Sequence, residues 1–307
     1  MKILLISDTH GNIDIINTLA AQEGVDACIH AGDFGFYDEN SPDNLNAKEL
    51  RLQIKHSSAM PWNERKEYLT VAHEEQRRII KKYRMLGDFS DYILGEKQFN
   101  IPVYAVWGNH EDQSVILRLL KKPIKNLNLI HESCHIILEE FCLLGLGGNF
   151  VHNQTLIQPY TGLPGSVCRI SSALPQYKKL IEKMDLVDSK YQRIQLTHVS
   201  PEYEPLAELL AWRINAVFTI SGHMGFPHGS EWQTKQGDEK RMLNALTGIK
   251  EKFPKFKEQF EIFRTKQELH SIQHLNLPDA HKGYAILDLN SCQHQYFIKT
   301  SKLNNSR

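Results

Sequence analysis

The stretch Pro102-Val103-Tyr104-Ala105-Val106-Trp107-Gly108-Asn109-His110-Glu111-Asp112 decides how the rest of the chain is read. An apolar run of strand length passes directly into an amide, an imidazole and two carboxylates. It reads as a buried strand ending in a chemically loaded loop. In open α/β sheets ligands collect at the carboxyl ends of strands, so more segments of this design would build one site.

Working outward, four more segments share it. Residues 2–7 lead into Asp8-Thr9-His10, residues 26–31 into Gly32-Asp33, residues 193–197 into His198, and residues 216–220 into Ser221-Gly222-His223. Between the first two, Ile13, Ile16 and Leu19 share a helix face, with Asn12 placed to cap it. Strand, helix and strand make a βαβ unit. The same reading predicts helices over residues 63–86 (stopped by Gly87), 112–120, 170–184 and 205–213, and strands over 135–139 and 141–146. Gly145, Gly147 and Gly148 lack the order of a dinucleotide fingerprint and read as room for a turn near the site.

The 307 residues suffice for a large core, and 36 Lys plus Arg against 36 Asp plus Glu leave no global field for nucleic acid or an anionic membrane. Five cysteines without a C-x-x-C pair fit buried thiols in a reducing compartment, which points to the cytoplasm. The apolar opening is broken at Ser7-Asp8 too early for a signal peptide, and no run reaches membrane-spanning length. We read residues 1–300 as one domain with helical insertions at about 36–100 and 235–270, and 301–307 as a disordered tail. In the first insertion the basic run from Arg77 to Arg84 reads as a solvated helix face. In the second, Phe253, Phe256, Phe260 and Phe263 recur near helical spacing among lysines; a stripe packed on the main domain is favoured over a surface for stacking bases. The stretches 271–276, 284–289 and 295–299 read as strands of a second sheet.

Collected, the strand-end groups are Asp8, His10, Asp33, Asn109, His110, His198 and His223. Each alone is as ordinary as a turn residue; together they form a mixed carboxylate, imidazole and amide set suited to Mn, Fe, Zn or Ni rather than to a thiolate zinc. Two such ions can share a bridging carboxylate and a hydroxide that attacks phosphorus while the cations neutralise developing charge, so phosphate-ester hydrolysis is the chemistry this set suits. His30, inside the second strand, reads instead as a hydrogen-bonded core histidine, and His56 and His73 as surface residues.

In these blocks the sequence resembles the calcineurin-like metallophosphoesterase superfamily: Asp8-Thr9-His10, Gly32-Asp33, Gly108-Asn109-His110-Glu111, His198 and Gly222-His223 follow its order D-x-H, G-D, G-N-H-[DE], H and G-H-x-H. The resemblance implies an α/β fold of two mixed β-sheets packed as a sandwich flanked by helices. It implies two divalent metal ions, with Asp8 and His10 on the first, Asp33 bridging, and Asn109, His198 and His223 on the second. His110 would be the catalytic residue facing the phosphate. Two positions depart from the pattern. Gly225 stands where a second histidine ligates the first metal, with His228 or His152 as candidate substitutes, and Phe36 stands where related enzymes carry a carboxylate that orients the catalytic histidine, with Asp38 and Glu111 as candidates. The expected activity is that of a phosphodiesterase on a nucleotide or nucleic-acid substrate, since Gly32 to Asp38 lacks the protein-phosphatase signature G-D-x-V-D-R-G. The alternatives are a phosphomonoesterase or protein phosphatase, or a non-catalytic metal-binding scaffold; no membrane partner is expected, and the oligomeric state is left open.

Overall fold

Alternation within the first strand sets the layers. In β1 (Lys2–Ile6), Ile3 and Leu5 enter one buried cluster while Leu4 and Ile6 enter another, as a period of two requires of a strand covered on both faces. The computed structural model describes residues 1–57, 59–137, 141–157, 160, 162–166, 168–224, 239–263, 272–290 and 295–302. Its first sheet runs β14 (Gln295–Lys302), β13 (Gly283–Asn290), β1, β2 (Ala27–His30), β3 (Val103–Ala105) and β4 (Leu127–Leu129). The second runs β12 (Gln273–Asn276), β11 (Ala216–Ser221), β10 (Gln192–Thr197), β6 (Phe141–Leu146) and β5 (Ser133–Ile137). A small third sheet joins β7 (Asn149–Phe150), β9 (Arg169–Ser172) and β8 (Gly165–Ser166).

Both large sheets are mixed. Strands β1 to β4 are mutually parallel with β13 antiparallel to β1, and β6, β10, β11 and β12 are parallel with β5 antiparallel to β6. Ile3, Leu5, Ile29, Leu143, Leu196 and Phe218 fill the space between the sheets. Outside them lie α1 (Asp14–Glu23) and α7 (Gln113–Lys121) on the first sheet, and α8 (Leu174–Asp185), α9 (Pro205–Arg213) and α10 (Glu239–Lys252) on the second. The result is the expected sandwich flanked by helices. No helix among the described residues is long and apolar enough to cross a membrane.

Several local expectations are corrected. The terminal strands divide: β12 extends the second sheet, but β13 and β14 return to the first, because antiparallel pairing beside β1 buries Ala285 and Leu287 between the sheets. Strand β14 reaches Lys302, into the segment expected to be tail; residues 303–307 lie outside the described residues. Residues 169–172 are strand rather than helix, and α8 starts only at Leu174, with Pro175 in its first turn.

The first insertion carries α2 (Ser41–Asn44), α3 (Ala47–His56), α4 (Trp62–Arg65) and α5 (His73–Lys82) around its own core of Leu50, Ile54, Ile79 and Ile80, while α6 (Phe89–Leu94) packs Phe89 and Tyr92 into the first sheet's cluster. The single helix expected over 63–86 is therefore broken. The buried Gln76 amide donates to the carbonyls of Tyr68 and Leu69 at 3.0 and 3.2 Å, satisfying groups that a continuous helix would have bonded internally. Gly87 stops no helix; α5 ends at Lys82, and Gly87 packs against Gly11. Nor does Asn12 cap α1: Asp88 of the insertion accepts from the Ile13 N–H at 3.1 Å. The basic run pairs with Glu74, Glu75 and Asp43, as a solvated face should.

In the second insertion Phe253, Phe260 and Phe263 are buried against α8, α9 and α10, with Phe256 packed beside them. Filling that core leaves them unable to stack on bases.

Candidate metal centre

Parallel strands bring their carboxyl ends to one edge, and there the predicted residues meet. Asp8, Asp33 and His198 offer ligand atoms that all lie within 4.8 Å of one another. His198 Nε2 is 3.0 Å from Asn109 Oδ1, 3.1 Å from His223 Nδ1 and 3.6 Å from Asp33 Oδ1. The backbone N–H of His223 donates to Asp8 Oδ2 at 3.0 Å, and that of His110 donates to Asp33 Oδ1 at 3.0 Å. His10 stands at the rim: its N–H donates to the Asp33 carbonyl at 3.0 Å, and its ring packs 4.9 Å from that of His56. His56 is exposed, as expected, and its ring also borders the site beside His10.

The tautomer of His198 tests whether a cation fits. Its Nδ1 lies 2.9 Å from the carbonyl of Ala31, so this nitrogen carries the proton and donates. Nε2 is then a lone pair facing the oxygens of Asn109 and Asp33 as well as Nδ1 of His223. Burial pushes the ring toward the neutral form, against the attraction of Asp33. A lone pair and several oxygens crowded this closely are costly in a buried site and favourable around a positive ion. The carboxylates agree: burial, then the charge of Asp33, pushes Asp8 up to about 7, opposed by His10. Burial alone would raise Asp33 too, but His198, His110 and His10 hold it well below the usual carboxylate range. The residues present fit divalent cations.

Local backbone makes this convergence possible. Asp8, His10, Asp33 and His223 all sit in the left-handed region, with φ of 52°, 46°, 47° and 70°. The glycines before ligands leave no space for a side chain: a Cβ on Gly108 would fall 1.9 Å from Asp33 Oδ1, and one on Gly222 would fall 1.8 Å from Ser7 Oγ. The N–H of Ile170 in β9 holds the carbonyl of Asn109 at 3.1 Å.

Neither expected partner orients His110. Asp38 pairs with Arg118, and Glu111 accepts the N–H groups of Phe34, Gly35 and Phe36 at 2.6, 3.0 and 2.6 Å, fixing the loop after Asp33. Phe36 itself stacks on Phe34 in an apolar cluster, where a carboxylate would be stranded. The partner is Glu49, fully buried on α3, which accepts from His110 Nδ1 at 2.9 Å. Burial would lower the imidazole, but Glu49 and then Asp33 raise it above its ordinary value. One turn on, the amide of Gln53 donates to Tyr37 Oη at 2.7 Å, and that hydroxyl donates to the His110 carbonyl at 2.6 Å. Glu49, Gln53 and His56 therefore share one face of α3, spaced four and three residues apart. Sequence reasoning missed all three roles, since this pattern looks like the polar border of any amphipathic helix.

His30 is the core histidine expected: Gly32 N–H donates to its Nδ1 at 3.2 Å, and Nε2 meets Thr9 Oγ1 at 3.0 Å. His152 bonds Glu204 at 2.7 Å, at the start of α9. Gly225 and His228 lie outside the described residues.

The family model for calcineurin-like phosphoesterases matches residues 1–227. One solved structure aligns over 99% of this chain and 99% of its own at 14% identity, with a TM-score of 0.51. The protein TT1561 of Thermus thermophilus aligns over the same shares at 14% identity, with a TM-score of 0.49. Among curated proteins there is no match.

Proposed function

The chain belongs to the calcineurin-like phosphoesterase family, whose chemistry is metal-dependent hydrolysis of phosphate esters, and from that premise we propose that it is a phosphodiesterase acting on a nucleotide or nucleic-acid linkage through two metal ions. The observation that carries the reading is the Nε2 lone pair of His198 set among the oxygens of Asn109 and Asp33 and the ring of His223, with Asp8 within reach, a cluster of groups able to ligate cations. Asp8 and His10 would hold one ion, Asn109, His198 and His223 the other, and Asp33 both. Bound there, they would neutralise phosphoryl charge and activate water.

The chain's own groups do the rest. Glu49 accepts from Nδ1 of His110, which fixes the ring and leaves Nε2 for the substrate. Raised by Glu49, His110 holds a proton to give to the leaving oxygen. Tyr37 and Gln53 hold its backbone. A diester is favoured over a phosphoprotein because the loop after Asp33 carries the aromatic pair Phe34 and Phe36 in place of the phosphatase signature. The buried phenylalanines of the second insertion favour a nucleotide over a long nucleic acid.

The test is hydrolysis of bis-p-nitrophenyl phosphate with Mn, Fe, Zn or Ni. Turnover is expected with at least one ion, and Asp33→Ala should lower kcat/KM by at least about a thousandfold, since it removes the group shared by both sites. Absence of turnover with every ion, or an Asp33→Ala variant equal to wild type, sinks the proposal.

A further inference from the structure

Only one oxygen of the Glu49 carboxylate is spoken for by the chemistry above. Oε2 accepts the Nδ1–H of His110, while Oε1 is equally buried and has no hydrogen-bond partner among the described residues. The cation that approaches Oε1 is Arg169, whose Nε stands 3.5 Å away. An ion pair on the surface contributes little, but here the carboxylate is fully buried and the arginine half exposed. A buried carboxylate with one oxygen unserved is costly, and a guanidinium can meet both its charge and its spare lone pairs.

The chain on either side delivers Arg169 to that place. Cys168 is buried in the core of the first insertion with Leu50 and Ile54 of α3. Ile170 is buried in the first sheet's cluster, and its N–H holds the Asn109 carbonyl at 3.1 Å. Three successive residues thus meet the insertion, the orienting carboxylate and the loop that carries Asn109 and His110. Strand β9, which begins at Arg169, is paired with β7 and with β8, so the backbone that presents the guanidinium is held by the small sheet. Among the described residues Glu49 is the one carboxylate that Arg169 pairs with.

We propose that Arg169 is a positioning residue: it clamps Oε1 of Glu49, so that Oε2 stays on the Nδ1–H of His110 and the ring keeps Nε2 turned to the leaving oxygen. The inference rests on the phosphoesterase reading, because proton delivery by His110 is a step of that reaction. One proton moves, from His110 Nε2 to the departing oxygen; Glu49 and Arg169 exchange none and touch no reacting atom. Without the clamp the carboxylate is free to turn about its own stem, and the imidazole loses its fixed direction.

The test is steady-state hydrolysis of bis-p-nitrophenyl phosphate, with the ion that supports turnover, by wild type, Arg169→Ala, Arg169→Lys, Glu49→Gln and the Arg169→Ala/Glu49→Gln double variant. Arg169→Ala should lower kcat about three- to tenfold at unchanged KM, and Arg169→Lys should restore part of the loss. In the Glu49→Gln background the same alanine substitution should change kcat by less than about twofold, since the group it clamps is already gone. A raised KM at unchanged kcat makes Arg169 a substrate contact and overturns the clamp, as do losses that multiply in the double variant. Wild type without turnover on any of the four ions overturns the phosphoesterase reading instead. Proton NMR of histidine-labelled protein in diamagnetic Zn then decides the clamp alone: the Nδ1–H of His110, assigned by its absence in His110→Asn, should exchange with solvent at least about tenfold faster in Arg169→Ala than in wild type. An Nδ1–H unprotected in the wild type, or one whose exchange is unchanged in the variant, rejects it.

Discussion

Asp8, Asp33, Asn109, His198 and His223 each lie within four residues of a strand's end, whereas Glu49, Gln53 and His56 come from a helix of an insertion with a core of its own. The first group is positioned by sheet register, which the inter-sheet core fixes. The second is positioned by docking: Tyr37, Leu50 and Ile54 seat α3, and only then does Glu49 reach His110. In the proposed function, metal holding and proton delivery are thus built from separate parts of the chain. The contrast teaches that one can be damaged while the other survives.

Glu49→Gln tests that separation most severely. Losing the orienting carboxylate should lower kcat by about 10- to 100-fold, more for esters with poor leaving groups, while the Mn stoichiometry stays at the wild-type value. The pH profile gives the sign. In the proposed function His110 acts protonated, so its contribution is present below its pKa and lost as pH rises through it. Glu49 raises that pKa, so Glu49→Gln should move the alkaline fall in rate to lower pH. A variant that loses Mn along with turnover breaks the comparison.

Metal removal probes the other side. Asp8, raised to about 7 in the folded chain from an ordinary 3.8, makes the metal-free protein lose stability as pH rises between those values, since the unfolded chain ionises first. Bound cation cancels this penalty. Saturating Mn should raise the melting temperature by about 5 °C, and by more at pH 8 than at pH 5, where a proton already occupies Asp8. An increment larger at pH 5 would contradict the assignment. Smallest is Asp88→Ala. It strips the N–H of Ile13 of its acceptor and should cost about 1 kcal/mol in chemical denaturation, so that the insertion is seen to steady the main sheet's first helix. No change in stability would mean that the two parts are less joined than this bond implies.

The same contrast explains what could be read in advance. Strand-end ligands announce themselves because each stands beside its own apolar run, and the family resemblance carried by their order is what implied the sandwich. Glu49 stands about sixty residues before its partner, on a helix whose sequence records only that one face is polar. The sheet to which β13 and β14 belong was equally hidden, since alternation shows that a strand has two buried faces but not which neighbour it pairs with. Asp88 capping α1 in place of Asn12 is a third case of a distant group taking a job that a local residue seemed fit for.

The left-handed backbone at Asp8, His10, Asp33 and His223 has a consequence for the life of the protein in a cell. These side chains occupy conformations that cost about 1 kcal/mol or more apiece, at the seam of both sheets, and cations bound there would offset that cost. A newly made chain that has not yet met its cations is the one most easily opened there, and so the one a protease finds first. Metal supply would then set the number of surviving molecules as well as their speed, and scarcity would clear idle enzyme rather than store it.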